Sequence, residues 1–366
     1  MIEIKRGTII KQIFARPGIQ GFLIDINGME EKCISYTDLV GDIALGDEVL
    51  VNTTAVTLKL GTGGYHYIIA NLTSNGKQIK NGPGHIMKLR YTPMQLRTLS
   101  VEEEDSPHYR EMQEADSLER TPVLVATLHS MLAPLSLQLH NHGFRVVYVM
   151  TDGAALPITF SKTVDWLKNE GIIAGTVTTG HAFGGDLEAV NIYSGLLAAK
   201  KVLKADIIIV SMGPGIVGTG TRWGFTGIEQ GEILNAVDTL QGIPVAVPRI
   251  SFADKRMRHR GISHHTLTVL SRVCRVNAII TLPMLTETYL NYILEQLRTE
   301  YLIDRYTICL EESSSIIELL KNYNFKITTM GRGIDEDKEF FLALGAAANT
   351  AERLKNGEKL RKINLV

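Results

Sequence analysis

The sequence predicts an α/β protein: a doubly wound, mostly parallel sheet, preceded by a small all-β domain of barrel or sandwich type. Three observations carry this. Residues 1 to 99 hold closely spaced runs rich in β-branched and aromatic side chains, with turn clusters between them. From Thr121 onward, apolar runs alternate with amphipathic helical stretches. Between the two lies a polar, acid-rich stretch, residues 100–120, "SVEEEDSPHYREMQEADSLER".

In the N-terminal part, "TIIKQIF", "GFLIDIN", "KCISYT", "DEVLVNT", "YHYIIANL" and "HIMKLRY" read as strands, divided by turns such as "RPGIQG" and "NGMEE". "GTGG", residues 61–64, has no helix expected behind it, so it reads as a hairpin turn and not a phosphate loop. The acid-rich stretch reads as an exposed linker with a short helix, and so as a domain boundary. In the third part the expected strands are 122–128, 145–150, 172–178, 206–212, 243–248, 277–283, 305–311 and a short one at 325–330. These runs are apolar throughout, as strands covered on both faces are. "LEAVNIYSGLLAAKKVLK" between them places Val190, Tyr193, Leu197 and Leu203 on one helical face. A closed eight-stranded barrel is the alternative; the uneven lengths of strands and helices favour an open sheet.

Composition narrows the function. The chain has 366 residues, 45% hydrophobic and 21% charged, with 38 basic and 39 acidic side chains and a net charge of −1. That balance argues against a protein that coats nucleic acid, so any anion must be met by a local patch. Cys33, Cys274 and Cys309 are odd in number and far apart, which fits neither a disulfide framework nor a cysteine zinc site. No run reaches the roughly 18 apolar residues of a membrane helix, and the opening "MIEIKRGTII" has no signal-peptide character. A cytoplasmic setting is expected.

In open α/β sheets, ligands bind beyond the carboxyl ends of the strands. The segments that follow the expected strands are "TDGAALP" (151–157), "TGHAFGGD" (179–186), "GPGIVGTGTRWGFTG" (213–227) and "PRISFADKRMRHRGISHHT" (248–266). Glycines, histidines and acids concentrate there. "GPGIVG" matches G-x-G-x-x-G, but no helix follows at once and the strand before it is not the first, so an anion or substrate loop is preferred to a dinucleotide fingerprint. Gly213, Gly215 and Gly218 are its candidate binding residues. In 248–266, Arg249, Lys255, Arg256, Arg258 and Arg260 stand with three histidines against one acid, Asp254. Ser263 reads as a helix N-cap, which puts His264 and His265 in a first turn where acids are usual. Such a violation of local preference marks a candidate anion site. Arg249, Arg256 and Arg258 would clamp the anion, with Ser263 and the N–H groups of residues 264–266 as further binding groups. The plain alternative is a solvated basic loop.

His264, His265, His181 and Asp152 are the acid–base candidates. No metal is expected: no H-E-x-x-H spacing occurs, and neighbouring helical residues point about 100° apart. Were a metal bound, the candidate ligands are His181, Asp186, His259, His264, His265, Asp152 and Asp254, with His181, Asp186, Asp254 and His259 preferred. Asp186 reads equally well as the cap of a helix starting at Leu187. No G-x-S-x-G elbow is present.

The four loops at 151–157, 180–186, 213–227 and 248–266 resemble those of an uncharacterised bacterial family classed only as a domain of unknown function. The resemblance spans nearly the whole chain and implies no activity. From the residues, the expected function is an enzyme acting on a small anionic substrate, phosphorylated or nucleotide-like, by hydrolysis or group transfer. The alternative is a non-catalytic nucleotide-sensing or RNA-associated protein. The N-terminal part lacks the basic and aromatic pattern of a nucleic-acid surface. The expected partner is a small anion, with neither membrane nor nucleic acid, and a homo-oligomer is compatible. The sequence points to no cofactor.

Overall fold

A computed structural model describes residues 1–61, 63–74 and 82–363. Contacts divide the chain into two compact units, Met1–Thr98 with Thr159–Asp165, and Leu99–Ile158 with Trp166–Val366. Nothing in the sequence had pointed to 159–165 as part of the first unit.

The first unit is a closed barrel of β1 (Ile4–Arg16), β2 (Ile19–Ile26), β3 (Met29–Tyr36), β4 (Glu48–Asn52) and β5 (His66–Asn71), in the order β1-β2-β3-β5-β4. Only the β3–β5 pair is parallel. The strands alternate as a one-sided sheet requires, and Ile9, Phe22, Ile24, Ile26, Cys33, Val49, Val51 and Ile68 fill the interior. Two short helices, α1 (Thr37–Val40) and α2 (Thr54–Thr57), lie between strands. "GTGG" therefore follows a helical turn and precedes β5, and its Thr62 lies outside the described residues. "HIMKLRY" supplies β6 (Ile86–Lys88), which forms a hairpin with β7 (Leu96–Thr98).

The second unit is doubly wound. Its eight strands are β8 (Pro122–Val125), β9 (Val146–Thr151), β10 (Gly175–Thr179), β11 (Leu187–Ala189), β12 (Ile207–Met212), β13 (Ile243–Ala246), β16 (Ile279–Pro283) and β17 (Thr307–Glu311). All pairings in this sheet are parallel, in the order β11-β10-β9-β12-β8-β13-β16-β17. β8, β9, β12 and β16 are buried at every position, because helices cover both faces. A two-stranded ribbon, β14 (Ile250–Ser251) with β15 (Gly261–Ile262), leaves the sheet after β13.

The helices of this unit run α3 (Tyr109–Gln113), α4 (Leu132–Asn141), α5 (Lys162–Asn169, shared with the first unit), α6 (Ile192–Lys201), α7 (Glu229–Thr239), α8 (His264–Thr268), α9 (Glu287–Thr299), α10 (Ser315–Lys321) and α11 (Lys338–Lys355). Helices α4, α10 and α11 pack together in one layer, α6 and α7 in the other. No helix among the described residues is long and apolar enough to cross a membrane.

Three sequence expectations change. The run 325–330 is not a strand: Thr329 and Arg332 pair with each other across a tight turn, with Met330 at φ 48° and Gly331 at φ 81°. "LEA" at 187–189 forms the edge strand β11, so the helix starts only at Ile192, capped by Asn191. Val190 and Tyr193 are then exposed, and the buried face of α6 is Gly195–Ala199. Finally, 100–120 is not simply an exposed linker. Val101, Met112 and Leu118 join the main core, and the Leu118 N–H donates to the Leu240 carbonyl at 2.8 Å. The acids hid three apolar anchors spaced too widely to show a period.

If this packing is right, Leu118→Ala lowers the stability of the α/β unit by about 2–5 kcal/mol, the range for a buried leucine truncation. The check is the denaturant midpoint of that unit's transition. A change within about 0.5 kcal/mol, as at a loose surface site, would restore the linker reading.

Candidate functional site

The chain runs from β12, on one side of β8, to β13 on the other. That change of direction opens a crevice above the carboxyl ends of the three central strands. A cleft of about 190 Å³ lies there, lined by Thr127 and Leu128 after β8, Ile216, Val217, Gly218, Gly220 and Gly227 after β12, and Arg249, Arg256, Arg258, His259 and His265 after β13. Met330, from the turn that replaces the expected strand, completes it.

The basic residues after β13 are held by one carboxylate. Asp254 is 6% exposed and accepts from Arg249 Nη2 at 2.9 Å, Arg256 Nε at 3.0 Å, Arg256 Nη2 at 2.9 Å and the Arg256 N–H at 3.0 Å. The hydrogen bonds from Arg256, and then those from Arg249, hold the Asp254 carboxyl well below the ordinary range against the opposing effect of burial. Arg249 is itself buried, at 6% exposed. Burial pulls its guanidinium below the usual value and the Asp254 contact opposes that. Behind them Arg332 reaches Asp337, which is buried and also accepts from Ser251 Oγ on the ribbon at 2.8 and 2.9 Å. Arg258 is exposed and makes no hydrogen bond or ion pair among the described residues.

The ribbon brings the histidines to the arginines. Ser263 N–H donates to the Arg249 carbonyl at its base. Ser263 Oγ accepts the His265 N–H at 3.3 Å, so Ser263 is the N-cap the sequence predicted. That N–H is thus engaged, which removes one donor from the set expected at 264–266. His259, arriving in a short 3-10 turn, meets both helix residues: ring centroids are 4.9 Å apart for His259 and His264, 5.2 Å for His259 and His265, and 4.2 Å for His264 and His265. The expected divergence of His264 and His265 concerned their Cα–Cβ directions; the rings themselves approach each other and His259. His265 also stacks on Phe225 from the glycine-rich loop, at 4.0 Å and 4°. Burial, and then its charged and histidine neighbours, push His265 down to about 4, and burial with Arg249 pushes His259 down to about 3. His264 is lowered by burial and by Arg258. Each of these shifts favours the neutral imidazole.

The other candidates fall elsewhere. Gly218 lines the cleft; Gly213 and Gly215 do not. A Cβ on Gly213 would meet the Ala155 carbonyl oxygen at 2.6 Å, so that glycine serves a close backbone approach. Gly215 has φ 108°, which a side chain resists. The loop runs on to Glu229 before α7 begins, so it is not the turn of a dinucleotide fingerprint. Asp152 and His181 sit together after β9 and β10, the His181 N–H donating to Asp152 Oδ2 at 2.9 Å, outside the cleft lining. Asp186 accepts from Thr176 N at 2.9 Å and Thr176 Oγ1 at 3.0 Å and contacts Lys168; it braces β10 and caps no helix. Asp254, engaged by Arg249 and Arg256 with Arg332 at 3.9 Å, is no metal ligand.

Sequence reading missed Thr127, Leu128, Met330, Arg332 and Asp337. It also missed Glu229, whose carboxyl burial pushes up to about 7, with Thr151 Oγ1 donating to it at 2.6 Å. An acid in a first helical turn is ordinary; only its burial sets Glu229 apart.

Asp254→Asn is expected to destabilise the α/β unit by about 3–5 kcal/mol at pH 7, because buried Arg249 loses its counter-charge. The sign with pH follows from linkage. A carboxyl held low in the folded state contributes stability that is present above its unfolded value of about 4 and is lost as pH falls through the lower folded value. Denaturant melts from pH 7 down to 3 should show wild type losing more stability than Asp254→Asn. Parallel curves would mean that the ion pair contributes nothing.

The chain matches no curated protein. One family model matches, described as a protein of unknown function (DUF3866), and its match runs over residues 32–348, which contain every loop that lines the cleft and all four loops of the resemblance. The chain belongs to that family.

Proposed function

We propose that the chain is an enzyme acting on a small phosphorylated or nucleotide-like anion in the cleft above β12, β8 and β13. One observation carries this reading. Arg249 and Arg256 are fixed by a single carboxylate while Arg258, without a partner, opens on the same cleft. Three guanidinium groups against one acid leave the cleft with an excess positive charge. Arg249 is buried and paired with Asp254, whereas Arg256 and Arg258 are exposed, so an anion entering the cleft would meet charge that the fold leaves unbalanced at its mouth. Guanidinium forks match the oxygens of phosphate and carboxylate.

The chemistry would then fall to groups already beside the anion. His259 and His265 line the cleft and, with no metal bound to them, would take a proton from an attacking hydroxyl or water. The arginines would stabilise charge that develops on the phosphoryl oxygens. Asp152 and His181, one strand-end away, are left as contacts for a part of the substrate beyond the cleft. Hydrolysis and group transfer both suit this arrangement.

Arg258→Ala is the direct test, since the side chain is exposed and its removal leaves the fold intact. Loss of one charge-assisted contact, about 1.5–3 kcal/mol, should weaken phosphate or sulfate binding roughly 10- to 100-fold. Wild type should gain melting temperature in these anions beyond a chloride control at equal ionic strength, and the variant should gain much less. Equal gains in both proteins would reduce the cluster to a solvated surface.

A further inference from the structure

We propose that His259, His264 and His265 form a site for a divalent transition-metal ion of the zinc class, its open position filled by an oxygen of the anion held by Arg249, Arg256 and Arg258. The fourth ligand rests on the anion-cleft reading; the three protein ligands do not.

The geometry is the first reason. One ring nitrogen from each histidine lies within 4.8 Å of the other two. A tetrahedral ion bound at about 2.0–2.1 Å brings such atoms to about 3.4 Å, so modest ring rotations close the set. The second reason is an orphan: His264 Nε2 is buried and has no hydrogen-bond partner among the described residues. A buried polar atom without a partner is costly, and a metal would satisfy it. The third is the choice of residues. Three nitrogen ligands and one open position suit zinc or a neighbouring first-row ion and not magnesium or calcium, which take oxygen.

Arg249 ties the metal to the anion. It donates from Nη1 to His259 Nδ1 at 2.9 Å, and a guanidinium can only donate, so His259 carries its proton on Nε2. A metal at Nε2 moves that proton to Nδ1. Ser263 Oγ, 2.8 Å away, is placed to accept it, as the outer partner of a ligating histidine does. Arg249 Nη1 must then turn away from the ring, while its Nη2 keeps Asp254. The donor so released faces an anion in the cleft. The anion in turn offsets the charge of the metal, which the arginines alone would oppose. Metal and anion are therefore expected to strengthen each other's binding, by the same factor in both directions.

The test uses the full chain stripped with a chelator and titrated with Co²⁺ alone, read by its visible d–d absorption. One equivalent should bind with the intense bands of a four-coordinate ion. His264→Ala removes a nitrogen that has no hydrogen bond among the described residues, so the variant should keep its melting temperature. Its Co²⁺ affinity should fall at least about 100-fold, beyond the 10- to 100-fold of an outer partner. Should that variant melt early, His264→Gln replaces it. Sulfate at matched ionic strength should raise wild-type Co²⁺ affinity about 5-fold or more. Absence of the intense bands in wild type, or equal uptake by the His264 variants, overturns the site. If sulfate binding with chelator present still depends on Arg258, only the metal fails. If Co²⁺ binds as expected and sulfate never depends on Arg258, the metal site stands and the anion-cleft reading falls.

Discussion

The Asp254 carboxylate is the constraint on which the cleft depends. It is nearly buried, and it takes hydrogen bonds from Arg249, from Arg256 and from the Arg256 backbone. Through Arg249 it fixes the His259 ring, and through the ribbon Ser251–Asp337 contact the same loop is tied to the turn that carries Met330 and Arg332. Without that acid, the segment 248–266 would be a run of like charges with no reason to fold over the strand ends. With it, two guanidinium groups have defined directions and the third remains available.

The scaffold explains why this happens at one place only. A parallel sheet needs crossovers, and where successive crossovers diverge no helix covers the strand ends. Here β8 lies between β12 and β13, and the loops after these three strands are the ones that meet. The ribbon β14–β15 lengthens the last of them, so that His259 and the start of α8 turn back over the glycine-rich loop. Phe225 against His265 is the contact that closes this arrangement.

Much of this was legible in the sequence. Apolar runs at 145–150, 206–212 and 277–283 could only be strands covered on both faces, and they became β9, β12 and β16. The charge excess of 248–266 and the cap at Ser263 were equally plain. What stayed hidden depends on separations in space. Leu118 is one leucine among acids until the core closes on it. Arg332 and Asp337 stand some seventy residues beyond the ribbon they brace. Asp152 and His181 were acid–base candidates together with His264; they pair after β9 and β10, because two neighbouring strand ends need not reach the same crevice. The three-histidine cluster was set aside for a geometric reason: spacing along a helix says where Cβ atoms point and nothing of how rings lean towards a third residue from a preceding turn.

The most direct measurement is the position of a scattering anion. Crystals of the chelator-treated protein soaked in tungstate, a heavy analogue of phosphate, would give its site from anomalous differences. An anion within hydrogen-bonding distance of Arg256 and Arg258 and beside His265 is the expected result. Tungstate bound at other basic surfaces, with this cleft left to water, would contradict the proposal that the fold gathers these charges to hold an anion.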